Sequence, residues 1–113
     1  MKRVQRKRTP GFKLPKNTIC VNRGTKFGNP FLVSYLGVDE AIRRFTECLI
    51  NPAIVYTYFD EIEASIQYDR FKWMNENIPK LSGYDYLACF CEEDKPCHGD
   101  VLIEFEKKTL KLK

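Results

Sequence analysis

The chain has 113 residues, of which 43% are hydrophobic and 30% are charged, a composition typical of one small globular domain. No apolar run approaches the roughly 18–20 residues of a membrane span. The N-terminal MKRVQRKR lacks the apolar stretch of a secretory signal. These features argue against a membrane protein, a secreted precursor and a disordered chain, so we expect a cytoplasmic protein with no membrane partner.

Positive charge is concentrated near the N-terminus. Residues 1–38 contain nine Lys or Arg and no Asp or Glu, whereas all fifteen acidic residues follow. Such a block attracts nucleic acid, a nucleotide or an acidic protein surface. We predict a flexible basic arm over residues 1–8 and a single domain over residues 9–113. The arm is a candidate for non-specific nucleic-acid binding, and the alternative is that it only aids solubility.

The first regular elements after the arm are a short strand over about 18–22 and a loop over 22–31. The strand has β-type residues, and the loop is rich in Gly, Asn and Pro. Apolar residues at helical spacing predict a helix near 39–50, which Asn51-Pro52 ends. A second helical pattern covers residues 60–77.

The most continuous apolar segment covers residues 84–91 and is typical of a strand at the centre of a sheet. A polar loop over 92–99 leads to a final helix near 100–111. This order predicts an α/β domain, Rossmann-like, with a short sheet of three to five strands flanked by helices. Because ligands bind at the carboxyl ends of parallel strands, we expect loops 22–31 and 92–99 to meet there.

The loop over residues 22–31 has the composition of an anion-binding loop. Its glycines allow close backbone approach, and its Arg and Lys add charged donors. Its spacing matches neither a P-loop nor the dinucleotide fingerprint, so a structural turn with two aromatic anchors is the alternative. The predicted ligand-binding residues are Arg23, Gly24, Thr25, Lys26, Gly28 and Asn29 in this loop, with Arg8, Cys89 and Asp100 outside it.

The cysteines indicate a reducing compartment, because their number, five, is odd and no secretory signal accompanies them. Cys89, Cys91, Cys97 and His98 lie within ten residues and offer the ligand types of tetrahedral zinc. The usual C-x-x-C spacing is absent, however, and adjacent Cys97 and His98 make an awkward chelate. We therefore predict no metal and no cofactor, with a zinc site at these four residues as the alternative.

Cys97 and His98 are instead candidate catalytic residues at the start of the last helix. The positive end of a helix dipole lowers a thiol pKa and favours bound anions. His98 is the one histidine, and histidine suits acid–base chemistry near neutrality. The alternative is that His98 is a structural residue at the helix start. No carboxylate pair suited to glycosidic chemistry is evident, so binding ranks above catalysis.

Two blocks of the sequence resemble the signatures of the domain of unknown function 4326 family. The opening block is KRTPGFKLP at 7–15 with VNRGTKFGNPF at 21–31, and the closing block is LACFC at 87–91 with PCHGDVL at 96–102. The chain departs from the family pattern at Phe27 and Phe90, where Trp is expected, and at Asn22, where Gly is usual. The resemblance implies a small phage or bacterial protein without a settled activity.

We expect the protein to bind a phosphorylated, nucleotide-type small molecule between loop 22–31 and the helix start at Cys97-His98. The resemblance implies that a phage protein in the host cytoplasm sequesters a nucleotide signal to antagonise host defence. The first alternative is an enzyme that acts on a nucleotide or an N-glycosidic bond through Cys97 and His98. The others are a non-specific nucleic-acid binder and a structural zinc module.

Overall fold

Three parallel strands form the sheet of this protein. The structure, a computed structural model, describes the backbone of residues 1–111 and the side chains of residues 1–108, so residues 112–113 of the expected domain lie outside the described residues. The strands are β1 (Lys2–Gln5), β2 (Thr18–Cys20) and β3 (Tyr86–Cys89), in the order β1-β3-β2. The small α/β domain with a short sheet is therefore confirmed.

Strand β1 lies in the segment where a flexible basic arm was expected over residues 1–8, and that expectation is wrong for residues 2–5. Lys2 pairs with Tyr86 and Gln5 with Cys89 along β3, and the Arg6 amide donates to the Cys89 carbonyl at 2.6 Å. The sequence of this strand does not alternate apolar and polar residues. Its Arg3 side chain is buried by polar contacts rather than by apolar packing. Hydrophobic periodicity therefore gives no signal here.

The two predicted strands are present but shorter than expected. The strand predicted over 18–22 is shortened to β2, although the Val21 amide still donates to the Ala88 carbonyl at 2.8 Å. The run over 84–91 narrows to β3, and three of its four residues, Leu87 to Cys89, are buried. A central strand with this burial agrees with its near-continuous apolar sequence.

The three predicted helices are confirmed, and the structure adds short ones. The helices are α1 (Val33–Leu36), α2 (Val38–Ile50), α3 (Val55–Tyr58), α4 (Glu61–Asn77) and α5 (His98–Lys111), with 3-10 turns at Pro52–Ile54 and Ile78–Gly83. Helix α4 begins where Asp60 accepts a hydrogen bond from the Glu63 amide at 2.9 Å, as an N-cap does. None of the described helices is long and apolar enough to cross a bilayer.

The hydrophobic core joins the sheet to α2, α4 and α5. Phe45 of α2 packs against Phe71 of α4 with ring centroids 5.6 Å apart, and Leu87 of β3 and Leu102 of α5 are fully buried in the same cluster. Because α5 follows β3 after a short loop, its first residues lie beside the carboxyl ends of the strands. The fold thereby brings loops 22–31 and 92–99 to one edge.

Candidate functional site

A pocket of about 420 Å³ opens where β2 and β3 end and α5 begins. Its volume is within the usual range for small-molecule sites. Loops 22–31 and 92–99 both contribute to its walls, as the parallel strands predict. The lining residues are Arg8, Asn22, Arg23, Asn29, Val33, Val38, Ile42, Cys89, Phe90, Cys91, Glu92, Lys95, Pro96, Cys97 and His98.

The pocket brings together about half of the predicted site residues. Those that line it are Arg8, Arg23, Asn29, Cys89, Cys97 and His98. The predicted residues that lie outside its described lining are Gly24, Thr25, Lys26, Gly28 and Asp100. The glycine-rich part of the loop therefore supports the wall rather than facing the pocket.

Loop 22–31 is held from behind by Arg70 of α4, which sequence reasoning missed. The Arg70 guanidinium donates to the Thr25 carbonyl at 2.8 Å and to the Gly28 carbonyl at 2.9 Å. A Cβ at Gly28 would lie 2.8 Å from the Asn22 carbonyl oxygen, so the loop closes tightly at this point. No local sequence signal links Arg70 to this loop, because α4 lies far along the chain.

Asn29 and Arg23 fix the side of the loop that faces the pocket. The Asn29 side chain, only 4% exposed, donates to the Ala41 carbonyl at 3.1 Å and accepts from the Phe31 amide at 2.9 Å. The Arg23 guanidinium donates to the Asn29 carbonyl. Asn29 thus ties the loop to α2, and Arg23 is a cation fixed on the pocket wall.

The two phenylalanines of the loop are structural anchors. Phe27 packs against Trp73 with ring centroids 5.0 Å apart, and Phe31 stacks on Phe59 at 5.1 Å. Both phenylalanines are buried. The loop therefore has features of both a structural turn and a binding loop, because its aromatic residues anchor it and Arg23 faces the pocket.

The Cys97-His98-Gly99-Asp100 segment forms a reciprocal cap at the start of α5. The Cys97 sulfur accepts from the Gly99 amide at 3.4 Å, and the Asp100 carboxylate accepts from the Cys97 amide at 3.3 Å. This is a variant of the capping box with cysteine in the N-cap position, in which the cysteine sulfur accepts from the second helical residue rather than the third. A Cβ at Gly99 would lie 2.7 Å from Leu87 Cδ2, so glycine lets the helix pack closely on β3.

His98 is a buried, neutral residue that joins α5 to β2. Its Nε2 lies 2.6 Å from the Val21 carbonyl oxygen, so this nitrogen carries the proton and donates. Its ring packs edge-on against Phe45. Burial lowers the pKa of His98 to about 4, against a raising effect of the Val21 hydrogen bond. This geometry agrees with a structural role for His98 at the helix start.

Three thiols meet beside the pocket. The Sγ atoms of Cys89, Cys91 and Cys97 all lie within 4.8 Å of one another, and the Cys89–Cys97 pair is 3.0 Å apart. The hydrogen bond from Cys97, aided by Arg3, lowers the pKa of Cys89. That same hydrogen bond and burial raise the pKa of Cys97. The more acidic thiol is therefore Cys89, whereas the helix position favoured Cys97.

Arg3 of β1 fixes the loop that precedes α5, and sequence reasoning missed this role as well. Its guanidinium donates to the Glu93 carbonyl at 2.9 Å and to the Lys95 carbonyl at 2.8 Å, and it forms an ion pair with Asp100 at 2.8 Å. Its side chain is only 8% exposed. An arginine in a basic segment is typical of a solvated charge, so no sequence pattern indicates this burial.

Cations outnumber acids on the pocket wall. Arg8 lies over the ring of Phe90, with its guanidinium carbon 4.2 Å from the ring centroid. Arg8, Arg23 and Lys95 face the pocket together with one carboxylate, Glu92. The pocket also has an apolar part, formed by Val33, Val38 and Ile42.

A family model described as Domain of unknown function (DUF4326) matches residues 4–108. The matched region includes both pocket loops and the start of α5. No curated protein and no solved structure matches the chain. The family description states no activity, so the geometry of the pocket is the basis on which function is inferred.

Proposed function

The chain belongs to the DUF4326 family, and we propose that it binds a phosphorylated small molecule of the nucleotide class in the pocket beside α5. One observation carries the proposal: cationic and apolar side chains line the same pocket at the carboxyl ends of parallel strands. Such a position is where open α/β sheets bind their ligands. We extend the proposal to a Rossmann-like relationship, which this shared placement supports.

The phosphate end of the ligand is best matched by the cations. Three cations, Arg8, Arg23 and Lys95, line the pocket with a single carboxylate, Glu92. Arg23 uses one hydrogen bond on the Asn29 carbonyl, which leaves most of its five N–H donors for a phosphate. The start of α5 adds the positive end of a helix dipole to the same wall.

The base and sugar are best matched by the apolar part of the pocket. Val33, Val38 and Ile42 present aliphatic surface that a purine or pyrimidine ring can cover. The cavity of about 420 Å³ is of the size that encloses most of a small organic ligand. An inorganic anion alone leaves this apolar surface exposed, so we expect a nucleotide to bind more tightly than phosphate.

Binding rather than catalysis is the better-supported function. Cys97 and His98 both take part in the structural contacts of the helix start. The pKa of Cys97 is raised and that of His98 is lowered to about 4, which weakens one as a nucleophile and the other as a base near neutrality.

The proposal is tested with a panel of mono-, di- and cyclic nucleotides, with nucleosides and inorganic phosphate as partial ligands. We expect at least one nucleotide to stabilise the protein in thermal unfolding. At a ligand concentration 100 times Kd, the gain in unfolding free energy is about 2.7 kcal/mol. If no nucleotide stabilises the protein beyond its nucleoside and phosphate, the proposal is wrong.

The matched variants are Arg8→Ala and Lys16→Ala, which each remove one positive charge from the N-terminal segment. Arg8 lines the pocket, and Lys16 is exposed outside it. Calorimetry with the best nucleotide is expected to show a loss of about 1.5–3 kcal/mol for Arg8→Ala and little change for Lys16→Ala. Equal losses would mean that net charge, and not the pocket, attracts the ligand.

A further inference from the structure

We propose that Cys89, Cys91 and Cys97 form a three-thiolate site for a thiophilic divalent cation, zinc above all, with one coordination position open to the pocket. The inference does not depend on nucleotide binding. The proposed site has three protein ligands instead of the four that the sequence offered, because His98 is not one of them. The three thiols are the metal-ligating group that the described residues bring together.

The positions of the sulfur atoms suit tetrahedral zinc. A Zn–S bond of about 2.3 Å places two sulfur ligands about 3.8 Å apart. The three Sγ atoms lie within 4.8 Å of one another, and those of Cys89 and Cys97 are 3.0 Å apart. The sulfur atoms are therefore within about 1 Å of this spacing.

Adjacent Cys97 and His98 would make an awkward chelate, but the structure does not require both to bind the metal. His98 points its Nε2 at the Val21 carbonyl, 2.6 Å away. Its Nδ1 lies 3.7 Å from Cys97 Sγ but is not among the ligand atoms that all lie within 4.8 Å of one another. Cys97 alone then supplies the ligand from the helix start. Cys89, the last residue of β3, supplies the second ligand, and Cys91, two residues further along in the loop that follows, supplies the third.

The charges around the cluster also suit a metal. Three thiolates and a divalent cation leave one negative charge, and the guanidinium of Arg3, which also pairs with Asp100 at 2.8 Å, lies beside it. The Arg3 Nη1 atom lies 3.9 Å from Cys89 Sγ, and the Arg3 side chain is only 8% exposed. A thiolate–metal centre of net negative charge is stabilised by a neighbouring cation that is shielded from water.

Surrounding hydrogen bonds hold the three ligands in place before a metal binds. The Gly99 amide donates to Cys97 Sγ at 3.4 Å. Arg3 donates to the Cys91 carbonyl at 3.5 Å and to the carbonyl groups of the loop that separates Cys91 from Cys97. Such outer contacts orient metal ligands and raise metal affinity.

The ligand number indicates an open site. Structural zinc sites have four protein ligands, whereas three protein ligands leave a position for water or a bound ligand. Cys89, Cys91 and Cys97 all line the pocket, so the fourth position faces the space in which we place the phosphorylated ligand. A phosphate oxygen is a suitable fourth ligand, and water occupies that position otherwise.

The test uses the full chain, reduced and stripped of metal with a chelator, and titrated with Co²⁺ alone. We expect one Co²⁺ per chain, with thiolate-to-cobalt charge-transfer bands and the intense visible bands of tetrahedral geometry. Zn²⁺ then displaces Co²⁺ and gives the zinc affinity by competition. No charge-transfer band in the reduced protein would overturn the proposal.

Serine variants assign the ligands. Cys89→Ser, Cys91→Ser and Cys97→Ser are each expected to lower zinc affinity by more than about 100-fold, and Arg3→Lys by about 10–100-fold as an outer partner. Cys20→Ser, which changes a half-buried cysteine outside the cluster, is expected to have no effect. Equal effects in Cys20→Ser and the cluster variants would contradict the assignment.

A measurement on the unaltered protein covers the case in which a cluster variant does not fold. The chemical shift of bound ¹¹³Cd²⁺ depends on the number of thiolate ligands, so the wild-type complex reports the ligand set directly. A shift typical of three sulfur ligands supports the proposal. A shift typical of nitrogen and oxygen ligands overturns it.

Discussion

Three polar side chains, Arg3, Arg70 and His98, hold the pocket by backbone carbonyl groups of distant segments. Arg3 donates to carbonyl groups of the loop before α5, and Arg70 donates to carbonyl groups of loop 22–31. His98 donates to the carbonyl group of Val21. Of these carbonyl groups that of Val21 is held by a buried hydrogen bond, and a buried carbonyl that loses its partner costs about 1–3 kcal/mol. The pocket walls are therefore held by polar contacts as well as by apolar packing.

Gly28 leaves no room in the loop for a side chain. We expect Gly28→Ala to lower the free energy of unfolding by about 1–3 kcal/mol or more, as overpacking does, because the new Cβ would lie 2.8 Å from the Asn22 carbonyl oxygen. Gly83→Ala is the control, since no atom lies within 4 Å of the corresponding Cβ. Urea unfolding of both variants gives the comparison, and equal stabilities would contradict the prediction.

At the scale of elements, local patterns predicted the helices, whereas long-range contacts decided β1 and the orientation of α4. The helices near 39–50, 60–77 and 100–111 follow from apolar spacing within one segment. Strand β1 depends on pairing with β3 and on burial of Arg3 by loop carbonyls, which no local pattern contains. The pocket loops were predictable from strand direction, but Arg3 and Arg70 were not, because each acts on a segment far away in the chain.

Helix α4 shows the limit of periodicity most clearly. Ile62 and Ile66 lie at helical spacing, yet they are 80% and 57% exposed. The buried face instead contains Ala64, Gln67 and Phe71. Both faces carry apolar residues, so the sequence pattern alone does not decide which of them packs on α2.

We expect substitutions on the two faces of α4 to have very different effects. Phe71→Ala removes a fully buried ring that packs on Phe45 and is expected to cost about 3–5 kcal/mol. Ile62→Ser lies on the exposed face and is expected to change stability by less than about 0.5 kcal/mol. Chemical denaturation of the two variants measures this difference. A large loss for Ile62→Ser would show that this face is covered.

At the scale of the whole molecule, part of the positive charge of residues 1–8 is engaged in contacts within the fold. Of its cations, Arg3 is buried and Arg6 contacts Phe90, with the guanidinium carbon 5.2 Å from the ring centroid. Lys2, Lys7 and Arg8 are exposed within residues 1–8, and of these Arg8 also lies over the Phe90 ring, 4.2 Å from its centroid. Few charges of this segment are therefore free to meet a nucleic-acid backbone.

We expect any binding of duplex DNA through residues 1–8 to be weak and to involve at most about three phosphates. The slope of log K against log salt concentration is then no steeper than about −3. Lys2→Ala and Lys7→Ala each reduce the slope by about one. Fluorescence anisotropy over a range of salt concentrations measures these slopes. A much steeper slope, unchanged by both variants, would place the contact elsewhere.

The central position of β3 has a consequence for how the chain reaches its native state. Strands β1 and β2 pair with β3 and not with each other, so neither has its partner until residues 86–89 have been synthesised. Sheets made only of such non-local pairings have high contact order and form slowly. On the ribosome, the helices α2 and α4 can therefore meet first, while the basic N-terminal residues stay unpaired until residues 86–89 have emerged.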